Sequence, residues 1–252
     1  MLLFNNSPAS HPAPALQHAF PGSLLRCLLA MTGLLLAQLS QAQIDQAKTG
    51  MWYSYAWTDT FTGSRFGWQG DIQRRNFDVD GDLEQMLVRT GLTWTPEGSR
   101  IRYTLGLSHI RTGTFGPSAN DSEERRLYQE ASLGHTVGER LLFTHRLRLE
   151  QRWLDGQDQR NRVRYYLGLN VPLNNTRLVK GTLYLALYNE LFMNLESDIG
   201  NNRSVNYFDR NRFHAGLGYN LSDSSRVQVG YMHQETATVG KGQVQLSVNQ
   251  SF

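Results

Sequence analysis

The chain has 252 residues, with 25 basic and 22 acidic side chains and a formal net charge of +3. That near balance, without a basic tail or an aromatic–basic module, argues against a nucleic-acid partner despite a pI of about 9.1. The mean hydropathy is −0.46, and the longest nearly apolar run, residues 27–39, is shorter than the roughly 18–20 residues a spanning helix needs, so a bundle of transmembrane helices is excluded.

That run is preceded by Arg26 and followed by Ser40-Gln41-Ala42, a charge, an apolar segment and a small-x-small site in the order of a secretory signal peptide. Cleavage is expected after Ala42, which divides the chain into a signal peptide over 1–42 and one domain over 43–252. Cys27 is the single cysteine. The mature chain therefore has no disulfide and no thiolate metal site, and an exported, cysteine-free chain fits a bacterial envelope.

From residue 51 onward the sequence alternates with period two, the signature of strands whose side chains point to opposite faces. The first run, 51–58 (MWYSYAWT), is strongly aromatic. Run 65–76 sets Phe66, Trp68 and Ile72 against Gln69, Asp71, Gln73 and Arg75. Run 85–94 sets Met86, Val88, Leu92 and Trp94 against Gln85, Arg89 and Thr93. Run 100–110 sets Ile101, Tyr103, Leu105 and Leu107 against Arg102, Thr104 and Ser108. A weaker run, 127–137, sets Leu127, Ala131 and Leu133 against Tyr128, Glu130 and Ser132.

The clearest case is the pair of runs in 141–173. Arg146, Arg148, Glu150 and Arg152 share one face, opposite Phe143, Leu147, Leu149 and Trp153. After a polar loop at 155–160, Arg162, Arg164, Tyr166 and Asn170 oppose Val163, Tyr165, Leu167, Leu169 and Val171. A helix, at about 100° per residue, would scatter the four charges at 146–152 to opposing sides. Runs 182–192, 210–221, 226–234 and 243–252 continue the pattern, with Leu183, Phe213, Val227 and Val244 on apolar faces and Glu190, Arg212, Gln228 and Gln245 on polar ones.

These eleven runs are about as long as a tilted transmembrane strand of 9–11 residues. Short connections at 95–99, 137–139 and 221–225 alternate with longer ones at 111–124, 155–160 and 194–208, as periplasmic turns and outer loops do in outer-membrane barrels. The predicted fold is all-β, an antiparallel transmembrane β-barrel of 10–12 strands. Because single-chain bacterial barrels usually have an even number, the expectation is twelve, with ten (omitting 51–58) as the alternative. The chain ends on an apolar-face aromatic, Phe252, which resembles the signal by which outer-membrane proteins engage the barrel assembly machinery.

The hairpin pattern R-x-R-x-E-Q-R at 146–152, followed by N-R-x-R-Y at 161–165, resembles an uncharacterised family of Gram-negative outer-membrane proteins known as a domain of unknown function. The segment near Trp52, the Tyr188-Asn189-Glu190 segment, and Asp209-Arg210-Asn211-Arg212 ahead of Gly216-Leu217-Gly218-Tyr219 are similar in order and spacing. The resemblance covers roughly residues 50–252. It implies an envelope barrel and no activity.

Lipid-facing arginine costs about 2–4 kcal/mol at the bilayer midplane, so the polar face must be the lumen. The predicted lumen-lining charges are Arg75, Arg89, Arg102, Arg146, Arg148, Arg152, Arg162, Arg164 and Arg212, with Asp71, Glu130, Glu150 and Glu190. Nine arginines against four carboxylates make a cationic interior. Either Arg and Glu pair across it and fill it, or free guanidinium forks favour small anionic solutes in a porin-like passage. The tryptophans and tyrosines at 52, 53, 55, 57, 94 and 153 read as an interfacial girdle.

No catalytic set, metal site or cofactor motif emerges. Ser108 and His109 are adjacent and point to opposite faces, and the histidines at 109, 135, 145, 214 and 233 lack ligand spacing. The expected partners are outer-membrane lipids and lipopolysaccharide. Two alternatives stay open: a membrane-embedded enzyme acting on lipid or lipopolysaccharide, with His214 as the inward base, and a secreted soluble β-sandwich that binds glycans.

Overall fold

The computed structural model describes residues 49–79, 81–116 and 121–252. The predicted signal peptide and its cleavage site at Ala42 lie outside the described residues. Eleven strands follow one another: β1 (Gly50–Thr60), β2 (Phe66–Asn76), β3 (Leu83–Trp94), β4 (Ile101–Thr112), β5 (Ser122–Val137), β6 (Leu141–Leu154), β7 (Arg160–Pro172), β8 (Leu183–Asn194), β9 (Phe208–Asn220), β10 (Ser225–Glu235) and β11 (Gly240–Ser251). Each pairs antiparallel with the next, and β11 returns to β1, so the sheet is a closed barrel. No helix among the described residues is long and apolar enough to cross a membrane.

All eleven predicted runs are strands. The count falls within the predicted ten to twelve, and the preferred twelfth strand is not among the described residues. Run 51–58 is part of the barrel and not an outlier to it. An odd number has a geometric consequence. In an up-and-down meander the first and last of eleven strands run in the same direction, so closure must be parallel. Nine residue pairs make that seam, from Gly50 opposite Gln243 to Thr58 opposite Ser251. The seam places Gly50 at one end of the barrel and Phe252 at the other.

The connections sort by end. One end carries 61–65, 95–100, 138–140, 173–182 and 221–224. The other carries 77–82, 113–121, 155–159, 195–207 and 236–239. The three loops expected to be long share the second end and the three expected to be short share the first. The ten-residue connection 173–182 breaks the rule, and 155–159 is no longer than 61–65. The tightest turn, at 138–140, needs a left-handed residue, and Gly138 supplies it at φ 61°. Loop 195–207 is tied down on the second end: Asp158 N–H donates to the Ile199 carbonyl and Leu195 N–H to the Asn161 carbonyl, while the Asn161 side chain donates to Glu196 at 2.7 Å.

Closing the sheet gives the alternation its meaning. Leu107 is 61% exposed on the outer face, and Leu92, Leu105, Leu147, Val229 and Tyr231 are all exposed beside it around the barrel. The inward residues of the same strands are buried and mostly polar or charged. Outer aromatics pack along the first end, where Trp57 meets Trp68 at 5.6 Å and Trp94 stacks on Tyr103 at 5.8 Å. Trp52 departs from the predicted girdle. It shares the parity of Ser54 and Ala56, points inward, and lies under the Arg75 guanidinium at 3.8 Å.

Two bulges interrupt the ladder, both near the second end. Asn76 pairs Leu83 while Arg75 pairs Gln85, which leaves Glu84 as the extra residue. Met193 pairs Phe208 while Phe192 pairs Arg210, which leaves Asp209 extra. A bulge re-aims the side chain it carries, and both residues present carboxylates to interior partners. Elsewhere inside, large rings sit over glycines. A Cβ on Gly106 would lie 2.4 Å from the Tyr128 ring and 2.6 Å from the Thr90 carbonyl oxygen.

Gly106→Ala is therefore expected to lower unfolding stability by about 1–3 kcal/mol through overpacking. Gly134→Ala, whose new methyl meets only a backbone oxygen at 3.9 Å, is expected to stay within about 0.5 kcal/mol. Urea unfolding of the refolded protein in detergent checks the difference.

Candidate functional site

The interior is lined by all eleven strands, and its arginine–carboxylate pairs come from β2 to β9. Register alone brings opposite charges together across neighbouring strands. Glu130 on β5 pairs in the ladder with Arg148 on β6, and Arg148 Nε donates to Glu130 at 2.6 Å. Asp71 on β2 pairs with Arg89 on β3, in a two-point contact at 2.7 and 3.0 Å. Glu150 opposes Arg162 across β6 and β7, at 2.6 Å.

Further contacts then link these pairs. Arg146 on β6 skips a strand to reach Glu190 on β8 at 2.7 Å. Arg164 on β7 joins Glu150 and Glu190, each at 2.7 Å. The result is a ring that runs Glu150, Arg164, Glu190, Arg146, Glu130, Arg148 and back to Glu150, with looser Arg146–Glu130 and Arg148–Glu150 approaches of 3.6 and 3.9 Å. Glu150 is its most buried member, at 1% exposure, and also faces Arg126 at 3.7 Å. A second branch leaves the ring through Arg162, which holds Asp209 at 2.5 Å. A third couples Arg126 and Arg152 on Glu124, at 2.7 and 2.5 Å.

Aromatic faces support the guanidiniums. Arg146 lies over Tyr166 at 4.6 Å and Arg148 over Tyr128 at 4.4 Å. Phe192, almost fully buried, takes Arg164 at 4.4 Å and Arg212 at 4.8 Å. Such contacts hold a planar cation without neutralising it.

Of the thirteen predicted lumen charges, the structure joins ten in the ring, its branches or the separate Asp71–Arg89 pair, and every carboxylate among them, Asp71, Glu130, Glu150 and Glu190, contacts at least one arginine. Arg152 is joined through Glu124, a partner the sequence reading passed over. Among the described residues, three stand apart from any ion pair. Arg102 donates to the Thr58 hydroxyl at 3.2 Å. Arg75 donates to Gln85 and Gln73, and Arg212 to Gln234. Sequence reasoning missed Glu124, Arg126 and Arg160, because they sit at strand ends taken for loop, and Glu84 and Asp209, because bulges set their direction.

Two cavities flank the ring. One, of about 540 Å³, lies toward the second end and is lined by Arg164 and Glu190 among others. The other, of about 360 Å³, lies toward the first end and is lined by Arg148 and Glu130. Arg146 lines both, as do Asp71, Arg89, Tyr166, Tyr188 and Gln228, so the two cavities meet beside the ring. His214, the inward histidine, stacks on Tyr188 at 4.8 Å, and no serine hydrogen-bonds it among the described residues.

A closed sheet with an apolar exterior and a paired guanidinium–carboxylate interior defines a charged-core β-barrel. Residues 49–245 match the family model described as "Protein of unknown function (DUF2490)", and the chain belongs to that family. The resemblance read from the arginine-rich hairpin, to an uncharacterised family, is met. An uncharacterised protein of Methylorubrum extorquens is similar, 27% identical over 230 residues that span 85% of this chain and 93% of the relative. No solved structure matches the chain.

Breaking a buried pair leaves an uncompensated charge and costs about 3–5 kcal/mol. Glu150→Gln is expected to lose about that much, because Arg162 and Arg164 both depend on it. Glu97→Gln, at an exposed pair with Arg65, is expected to lose about 0–1 kcal/mol. Denaturant midpoints of the two variants in the same detergent give the comparison.

Proposed function

We propose that the protein is an integral outer-membrane β-barrel whose interior is closed at mid-height by the ion-pair ring, so that it serves as a structural, plugged barrel and not as an open porin. The observation that carries this reading is the two-faced sheet. Large apolar side chains stand exposed all around the outside, while the charges face one another within. A soluble sandwich that bound glycans would bury its apolar face and wet its charged one, the reverse of this arrangement. Lipid is the surrounding that makes an apolar exterior favourable.

Strand lengths of 11–16 residues suffice for a tilted crossing, which takes about 9–11. The loop-rich end then faces outward, in contact with lipopolysaccharide, and Phe252 faces the periplasm, where the assembly machinery meets the last strand. Between the porin-like and structural forms, the ring favours the second, because its guanidiniums already face carboxylates that offset their charge before an anion arrives. An enzyme acting on lipid would need a base with a nucleophile beside it, and His214 lacks a hydrogen-bonded serine among the described residues.

Cell fractionation tests the location. The protein is expected in the outer-membrane pellet, resistant to alkaline extraction and shifted in gel mobility by boiling. Leu107→Arg, placing a charge on the outer face at the middle of β4, is expected to reduce folded protein there through a cost of about 2–4 kcal/mol. Recovery of the wild type in the soluble fraction contradicts the proposal.

A further inference from the structure

We infer that the larger cavity, toward the loop-rich end, is a binding chamber for a small solute bearing a dianionic oxyanion, a phosphate or dicarboxylate group, held by Arg75 and Arg212. The inference deepens the plugged-barrel reading and rests on it only for the side from which the solute arrives.

The charge in this chamber does not balance. Ten arginines and four carboxylates line it, and those carboxylates are already engaged: Asp71 by Arg89, Glu84 by Lys241, Glu124 by Arg126 and Arg152, and Glu190 by Arg146 and Arg164. Asp209 nearby is held by Arg162 and Arg210. Arg75, Arg160 and Arg212 have no ion pair among the described residues. They are only 7%, 7% and 5% exposed. Arg160 is the extreme case. Its Nε and Nη1 are buried and have no hydrogen-bond partner, and Arg75 Nε shares that condition.

Proteins rarely leave a buried cation without a counter-charge, because desolvation is compensated only by pairing. Here the geometry keeps two of the cations, Arg75 and Arg212, close. The single ring of Trp52 lies under Arg75 at 3.8 Å and under Arg212 at 5.1 Å. Two guanidiniums on one indole repel each other unless an anion comes between or beside them. Their side-chain hydrogen bonds run to glutamine oxygens, at 2.8 and 2.7 Å for Arg75 and 2.8 Å for Arg212. Those contacts fix each fork in place and leave the charge uncancelled. A planar fork of this kind recognises carboxylate and phosphate oxygens two at a time. The volume, about 540 Å³, suits a small molecule and falls in the range of ordinary ligand pockets, about 300–1,000 Å³.

The test is calorimetric titration of the purified, detergent-folded full-length protein with inorganic phosphate, with succinate, and with chloride. The dianions are expected to bind and chloride is not. Arg75→Gln and Arg212→Gln, each checked for folding by gel mobility and circular dichroism, are each expected to bind the dianions at least tenfold more weakly. The double variant is expected to abolish binding, and Arg65→Gln, at an exposed site near the opposite end, to leave it unchanged. Phosphate against succinate tells which oxyanion the chamber prefers. No binding of either dianion by the folded wild type, or undiminished binding by either folded single variant, overturns the inference. Because the measurement is made in detergent, it stands or falls independently of where the protein is found in the cell.

Discussion

An arginine that points into a closed barrel can be neutralised only from inside that barrel. This constraint organises the interior. A barrel of eight strands is filled by ordinary side chains, and one of sixteen or more leaves an aqueous channel. Eleven strands fall between. Long side chains meet along the inner wall: Arg146 reaches Glu190 two strands away, and Arg164 reaches Glu150 and Glu190 on the strands beside it. Across the lumen, Tyr188 on β8 donates to Gln245 on β11 at 3.0 Å.

The same constraint explains why charge is concentrated on particular faces. Each strand carries an outward row that is mostly apolar and an inward row whose charges need partners. A carboxylate on one strand therefore fixes where the arginines of the next must fall. Glu130 opposite Arg148 and Glu150 opposite Arg162 couple the register of three strands, because a slip by one residue would turn both pairs toward the outer face. The ring is in this sense a register device. Among the described residues, the parallel seam between β1 and β11 has no such ion pair. Its side-chain link is a hydrogen bond between the Ser54 and Ser247 hydroxyls at 2.8 Å.

Period two was enough to read every strand and both faces of the central hairpin, because apolar and polar rows there differ so sharply. It was not enough at the loop-rich end. The Glu-Glu-Arg-Arg start of β5 is polar in both rows, so it read as loop, and Glu124 and Arg126 were lost with it. Glu84 and Asp209 occupy bulges, where the parity rule fails by one residue. Trp52 was legible by parity and was misplaced by residue type: aromatic composition suggested an interface, while alternation with Ser54 and Ala56 pointed inward. The pairs that skip a strand, Arg146 to Glu190 above all, depend on how far the barrel curves, and a linear sequence does not contain that curvature. The parallel closure was hidden for the same reason, since it follows from an odd strand count that periodicity reports one strand at a time.

The central claim is that the ion-pair ring closes the interior. Single-channel recording across a planar bilayer measures it directly. The folded wild-type protein is expected to insert with no steady conductance, and a variant carrying Glu150→Ala and Arg164→Ala, which opens the ring at its most buried contact, is expected to conduct. A stable ohmic conductance from the wild type, undiminished in its selectivity by changes to the ring, would contradict the account.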